Sequence, residues 1–155
     1  MNPDIFTQKS LEAIRAAQSL AAEHQNQQIE QAHLLLALLR QENGLIPQLL
    51  KKMGLTLESF DAAAEAAVKR LPSVTGSGRD AEHFYISRSV DSLLVEAEKT
   101  AKSMRDDYVS VEHLFLAMLD TADETVKPLF TDYRVTKEAA LQTLQSVRGS
   151  QRVTT

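Results

Sequence analysis

The sequence predicts an all-α fold of eight helices, arranged as two tandem pseudo-twofold four-helix repeats. Three observations carry this. The chain matches itself without a gap when displaced by 80 positions, which lays Ile29–Leu39 (IEQAHLLLALL) on Val109–Leu119 (VSVEHLFLAML). The same offset pairs Ala17 and Ala21 with Ala97 and Ala101, Leu49 with Leu129, and Thr56-x-Glu58 with Thr136-x-Glu138. Apolar residues recur at helical spacing throughout, and no segment alternates as a strand would. A duplicated motif of this length buries its apolar faces partly against its copy, so one domain over residues 1–148 is expected instead of two independent ones.

In the first repeat, residues 7–71, Thr7 is placed to cap a helix running to about Gln25, with Leu11, Ile14, Ala17, Gln18 and Ala21 at helical spacing. The polar run His24–Gln28 turns the chain. Gln31–Gln41 follows as a short helix so apolar that it must be buried on most sides. Gly44 breaks it, and Pro47 opens a third helix to Met53 from a first-turn position where proline is tolerated. Gly54 suits the left-handed residue that ends it. Thr56 caps a fourth helix, Leu57–Leu71, with Glu58 near its positive end.

Residues 72–86 form the linker, rich in glycine and small polar residues over Pro72–Glu82, and Gly76-Ser77-Gly78-Arg79 is flexible chain there, not an anion cradle. In the second repeat, residues 87–148, Ser87 caps a helix bearing Val90, Leu94, Ala97, Ala101 and Met104. Ser110 opens Val111–Leu119, and Val126–Tyr133 and Lys137–Val147 complete the copy. Arg134 stands where the first repeat has Gly54, the one point at which the helix-ending chemistry of the halves disagrees. Residues 149–155 (GSQRVTT) carry no apolar period and are expected to be a tail, or a connection to a further module.

The bulk numbers narrow the function classes. The 155 residues are 43% hydrophobic, enough for a core, and carry a formal net charge of -4. Lysine and arginine are scattered among the acids without the basic stripe that a phosphate backbone requires, so nucleic acid is not an expected partner. Absence of cysteine removes disulfides and thiolate chemistry and suits a reducing cytoplasm. The longest apolar run, Leu34–Leu39, is far too short for a membrane, and the first residues lack a signal-peptide pattern; a soluble intracellular protein is expected.

Motifs for catalysis are missing. The sequence holds neither a GxxxxGK[ST] loop nor a GxSxG elbow. The histidines, His24, His33, His83 and His113, lack metal-ligand spacing. His33 and His113 are equivalent by the repeat, and each is expected to be a buried imidazole donating to backbone near a helix start. Asp106 and Asp107 are explained by helix entry, and no carboxylate pair in an apolar segment suggests acid–base work. No catalytic residue, metal or cofactor is therefore assigned, which leaves binding. Relative to the face of Ile14, Ala17 and Ala21, Leu11 and Leu20 lie roughly 90° away at about 100° per residue. With Leu93 and Val95 they are the candidate lining of a shallow apolar groove at the seam between repeats.

The double repeat with H-L-x-L-A-x-L in each half resembles the Clp N-terminal domain, carried by AAA+ unfoldases, over essentially the whole chain. Within that family, Leu71–Gly78 (LPSVTGSG) and Val147–Thr154 (VRGSQRVT) are similar to the protein-disaggregase branch. The resemblance implies capture of unfolded or aggregated polypeptide through a mobile tether on a hexameric ring. It implies ATP and magnesium in modules outside this chain, and cooperation of the parent with an Hsp70-type system. Carried over residue by residue, it adds Thr7, Asp106 and Glu112 to the substrate-binding candidates. The alternative is the ClpA/ClpC type, which serves adaptors and phosphoarginine-marked proteins. That type has glutamate before the histidine in both repeats, whereas here Glu112-His113 keeps the pattern and Ala32-His33 departs from it.

Overall fold

The computed structural model describes residues 2–74 and 85–148; the middle of the linker, His83, the Gly76–Arg79 segment and the tail from Gly149 lie outside them. Eight α-helices are present among the described residues: α1 (Gln8–Glu23), α2 (Gln31–Leu39), α3 (Leu45–Lys52), α4 (Leu57–Lys69), α5 (Arg88–Ser103), α6 (Val111–Thr121), α7 (Lys127–Asp132) and α8 (Lys137–Arg148), preceded by a 3-10 turn at Pro3–Ile5. The apolar runs explain the centre of the molecule. Every residue of α2 is buried, as is Val111–Met118 of α6, so the two equivalent helices are wrapped by the other six. One continuous core extends from Phe6 to Leu144 through both repeats.

Two short parallel pairings that the sequence did not announce join the repeats. Strand β1 (Gln28–Ile29) pairs with β2 (Tyr85–Ile86), and Phe6 forms a bridge with Val109. These are one contact used twice, because Phe6 and Ile86 are equivalent by the 80-residue offset, as are Ile29 and Val109. The hydrogen bonds match: Thr7 donates its N–H to Val109 O at 3.0 Å, and Ser87 donates to Ile29 O at 3.0 Å. Each repeat thus lends the extended residue before its first helix to the residue before the other repeat's second helix. Pairings of one or two residues leave no period-2 signature, so the expectation of no strand fails for want of a readable pattern. The linker is shortened at both ends. Pro72 O accepts from Asn26 Nδ2 (3.0 Å), Val74 N–H donates to Gln25 O (2.7 Å), and Tyr85–Ile86 belongs to β2.

Helix boundaries follow capping chemistry. Thr7 and Ser87 cap as expected, their hydroxyls accepting from Ser10 N and Val90 N. Thr56 makes no such side-chain bond, whereas its equivalent Thr136 accepts from Ala139 N. Helix α3 starts at Leu45, two residues before Pro47, with Gly44 as N-cap. Proline at the third position still spares an N–H that would have no intrahelical partner. A Cβ on Gly44 would stand 2.9 Å from Gln41 Cβ and 3.1 Å from Gln41 O, so close approach demands glycine there. Gly54 ends α3 at φ +93°, as expected. Arg134 takes the same left-handed conformation, φ +58°, so the halves disagree in residue type and not in backbone.

A fully buried glutamine ties the repeats where symmetry fails. Gln31 Nε2 donates to Ser89 O (3.1 Å) and Thr121 O (2.9 Å), while its Oε1 accepts from Asp123 N (2.9 Å). Its counterpart, Val111, has no polar group with which to return the contact.

Candidate functional site

Where the two pairings meet the helices, the seam is open on one side. Ile14 of α1 and Leu94 of α5, equivalent by the repeat, line an apolar hollow of about 90 Å³ with Ala17, Ile29, Leu34, Ile86 and Val90. Ile86 at its lip is 39% exposed and the adjacent Tyr85 is 61% exposed. The symmetry-related place is filled: Phe6, the counterpart of Ile86, is 7% exposed, and Ser10, the counterpart of Val90, donates its hydroxyl to Val109 O at 2.9 Å. A larger ring and a satisfied hydroxyl close one seam. A smaller isoleucine leaves the other accessible. The hollow has room for roughly one aliphatic side chain, whose full burial contributes ~1.5–3 kcal/mol.

The four residues expected to line a groove do not form one. Leu93 is fully buried and packs in the core, as does its equivalent Ala13. It continues the stripe of Val90, Leu94, Ala97 and Ala101, so the shared core face is wider than Ile14, Ala17 and Ala21 alone define. Leu11 is half-buried against the core. Leu20 lines a different depression of about 570 Å³ with Lys9, Glu12, Ala16, Glu23 and Arg40. Val95 is 50% exposed, one residue beyond Leu94 on α5.

Beneath the surface, each repeat holds a histidine box. His33 Nδ1 accepts from Glu30 N–H (2.8 Å), and His113 Nδ1 accepts from Ser110 N–H (2.9 Å). The ring therefore accepts from backbone, the reverse of the expected polarity, because these N–H groups precede a helix and lack intrahelical partners. That bond fixes the tautomer, leaving the Nε2 proton for Asn26 Oδ1 at 2.7 Å in the first repeat and Asp106 Oδ2 at 2.6 Å in the second. Complete burial lowers the His33 pKa to about 4, with nearby His24 adding to the effect. Burial also lowers that of His113, against the pull of Asp106 and Glu112.

The second box carries charges at three places where the first is neutral, while the first has the Glu30 carboxylate at its N-cap where the second has Ser110. Asp106 meets Arg148 as well as His113, Glu112 accepts from the Ser110 hydroxyl, and Arg148 Nη1 lies 3.6 Å from Glu112 Oε2. The first repeat has Asn26, Ala32 and Val68 at the places of Asp106, Glu112 and Arg148. Helix entry is thus not the reason for Asp106, and Asp106 with Glu112 is a carboxylate pair in a buried setting. Both carboxylates face inward, and Thr7 is occupied as a cap with Ser10. Ser110, His113 and Arg148 were missed as members of this cluster. Among the described residues, no group of three or more potential ligands could hold a metal ion, and no helix is long and apolar enough to cross a membrane.

The family profile described as the Clp repeat (R) N-terminal domain matches residues 5–133. The chain belongs to this family. It is 43% identical over 154 residues to the chaperone protein ClpB of Bacillus cereus, an alignment covering 99% of this chain and 18% of that protein. This Clp N-domain therefore spans about a fifth of the length of the ClpB chaperones it matches. In fold it is similar to the Hsp104 N-terminal domain from Candida albicans, with a TM-score of 0.83 at 23% identity, covering 97% of this chain and 95% of that one. It is also similar to a ClpV N-domain solved in complex with a VipB peptide, with a TM-score of 0.72 at 19% identity, covering 96% and 89%.

Proposed function

We propose that this Clp N-domain is the substrate-recognition domain of a ClpB-type disaggregase, and that it takes apolar side chains of unfolded or aggregated polypeptide into the open seam hollow. The observation that carries the reading is the asymmetry of the seam: Phe6 closes one copy, while Ile86, with exposed Tyr85 beside it, leaves the other open to solvent. The similarity to ClpB chaperones supports the client class, and the peptide complex of a ClpV N-domain supports peptide capture by this fold. In the parent, the domain would hand its client to a hexameric ATP- and magnesium-dependent ring in the cytoplasm, working with an Hsp70-type system. The chain itself would contribute binding and no catalysis. Val95, exposed and next to Leu94 in sequence but outside the lining of the hollow, is kept as a candidate outer contact. Thr7, Asp106 and Glu112 would act by fixing helices. The phosphoarginine alternative is disfavoured because Glu112 is turned inward to Ser110 and Arg148.

Affinity should be weak. One apolar side chain contributes ~1.5–3 kcal/mol, whereas ordering an extended chain costs ~1–2 kcal/mol per fixed residue, so micromolar or weaker binding is expected. The test is an NMR titration with a reduced, carboxymethylated, permanently unfolded protein. Shifts should centre on Ile14, Ile86 and Leu94, and Ile86→Ser with Val95→Ser should remove them without loss of helicity. Shifts confined to a charged surface away from the seam would defeat the reading.

A further inference from the structure

A second groove, of about 630 Å³, lies where the end of α6, helix α7 and the start of α8 converge. Ala122, Phe130 and Val135 contribute apolar walls, and Lys127, Arg134 and Lys137 bring three cations to the lining against a single carboxylate, Asp120. Lys137 is already committed to Asp120 at 2.7 Å, which leaves Lys127 and Arg134, both exposed, as the cationic rim. The volume is within the range of sites that enclose a ligand of several heavy groups.

All three cations are peculiar to the second repeat. The equivalent residues of the first are Pro47, Gly54 and Leu57, while Arg40 and Lys51 of the first repeat stand where the second has Asp120 and Thr131, so the two copies place their charges differently. Arg134 holds a left-handed backbone, φ +58°, at a place where the first repeat uses glycine at φ +93°. Gln25, Asn43 and Arg105 share that conformation, so what sets Arg134 apart is its place in the groove lining, in a chain whose net charge is -4.

We infer that this groove docks an acidic segment of another protein, one that alternates carboxylates with apolar side chains, so that carboxylates meet Lys127 and Arg134 while apolar groups rest on the partly exposed Leu119 and Ala122, beside the buried Phe130 and Val135. The positive end of α8 adds to the same field. The assignment is independent of the seam hollow, since no residue lines both.

The test uses the whole chain and an acetylated, amidated hexapeptide of alternating glutamate and leucine, followed by NMR. Saturable shifts should appear at Ala122, Phe130 and Val135 and weaken as salt is raised. A peptide with lysine in place of glutamate should give none, and one with glycine in place of leucine should bind more weakly. Lys127→Glu with Arg134→Glu, both on the surface, should weaken binding about tenfold or more, because two attractive contacts become repulsive. Arg134→Gly gives a readout that a merely structural arginine would not: binding falls while the melting temperature rises by about 2 °C. The assignment is overturned by the absence of saturable shifts at millimolar peptide, by equal binding of the lysine peptide, by indifference to the double charge reversal, or by shifts centred on Ile86. Equal binding of inorganic phosphate and of the glycine peptide would also overturn it, leaving a simple anion site.

Discussion

Replacing Arg148 with valine, the residue at the equivalent place of the first repeat, should destabilise the domain far more than loss of a surface arginine. The guanidinium is nine-tenths buried and faces two carboxylates that are themselves buried, Asp106 and Glu112. Removing the cation leaves both in a low-dielectric setting, with His113 and the Ser110 hydroxyl among the partners that remain. Breaking a buried pair from one side costs about 3–5 kcal/mol; the lower end applies because those partners remain. About 3 kcal/mol corresponds to a drop of roughly 6–12 °C in melting temperature at this chain length. The first repeat supplies the control. Asp106→Asn, Glu112→Ala and Arg148→Val together install the neutral set of Asn26, Ala32 and Val68, already compatible with a histidine box in this fold. Residues in one network are not additive, so the triple variant should recover most of the loss, ending within about 1 kcal/mol of the parent. Urea unfolding followed by circular dichroism, with thermal melts alongside, measures both. A single variant costing under about 1 kcal/mol, or a triple variant as unstable as the single, would refute the reasoning.

Acid should weaken the fold through His33. Its folded pKa of about 4 lies below the ordinary value of about 6.5 for the unfolded chain. The unfolded state therefore binds the proton first, and stability is full above about pH 6.5 and falls as pH drops toward 4, by about 3 kcal/mol at the limit. The lowered pKa of His113 acts in the same direction. Urea midpoints between pH 7 and 4.5, with ring-nitrogen NMR of His33, check this, and a native midpoint near 6.5 contradicts it. Gln31→Leu should cost about 2 kcal/mol in urea unfolding, because Asp123 N–H and two carbonyls lose their partner across the repeats. Gly54→Ala should cost about 1 kcal/mol although nothing lies within 4 Å of the new methyl group, since the penalty is in the backbone at φ +93°; an unchanged melting temperature would contradict it.

The architecture was legible because it rests on local signals repeated twice. Helical spacing and the 80-residue match gave eight helices, and Thr7, Ser87 and Gly54 marked ends through chemistry that acts within one turn. What was not legible depends on distance along the chain. Leu93 is core or groove according to where α6 lies, not according to its neighbours in sequence. The strand pairings join residues 57 to 103 positions apart through one or two residues each, too short to pattern. The charged box was half-visible: the histidine pair was found, but its second member draws on Asp106, seven residues before it, and Arg148, 35 residues after it. A signal did exist. The offset that aligns the histidines also aligns Asn26 with Asp106, Ala32 with Glu112 and Val68 with Arg148. Three coordinated breaks from neutral to charged at one place are best explained by contact among them.

Those breaks share a logic with the surface. A domain built from two identical repeats would offer two identical seams, and a single polypeptide could then dock in either of two opposed directions. Here Phe6 against Ile86 leaves one seam open, Gln31 against Val111 ties the repeats from one side only, and Lys127, Arg134 and Lys137 stand in one groove where the first repeat has Pro47, Gly54 and Leu57. The charged box lies at the end of α8, the last described helix. Among the described residues, buried asymmetry fixes how the two halves sit, and surface asymmetry then makes the two seams, and the two grooves at the ends of the central helices, differ where true twofold symmetry would make them alike. If that is the role of the divergence, restoring symmetry at the seam should be felt in binding before it is felt in folding: Ile86→Phe, which installs the first repeat's plug, should close the hollow, keep or raise the melting temperature, and abolish the seam shifts with unfolded protein, whereas undiminished shifts in that variant would show that the hollow is not where the client is held.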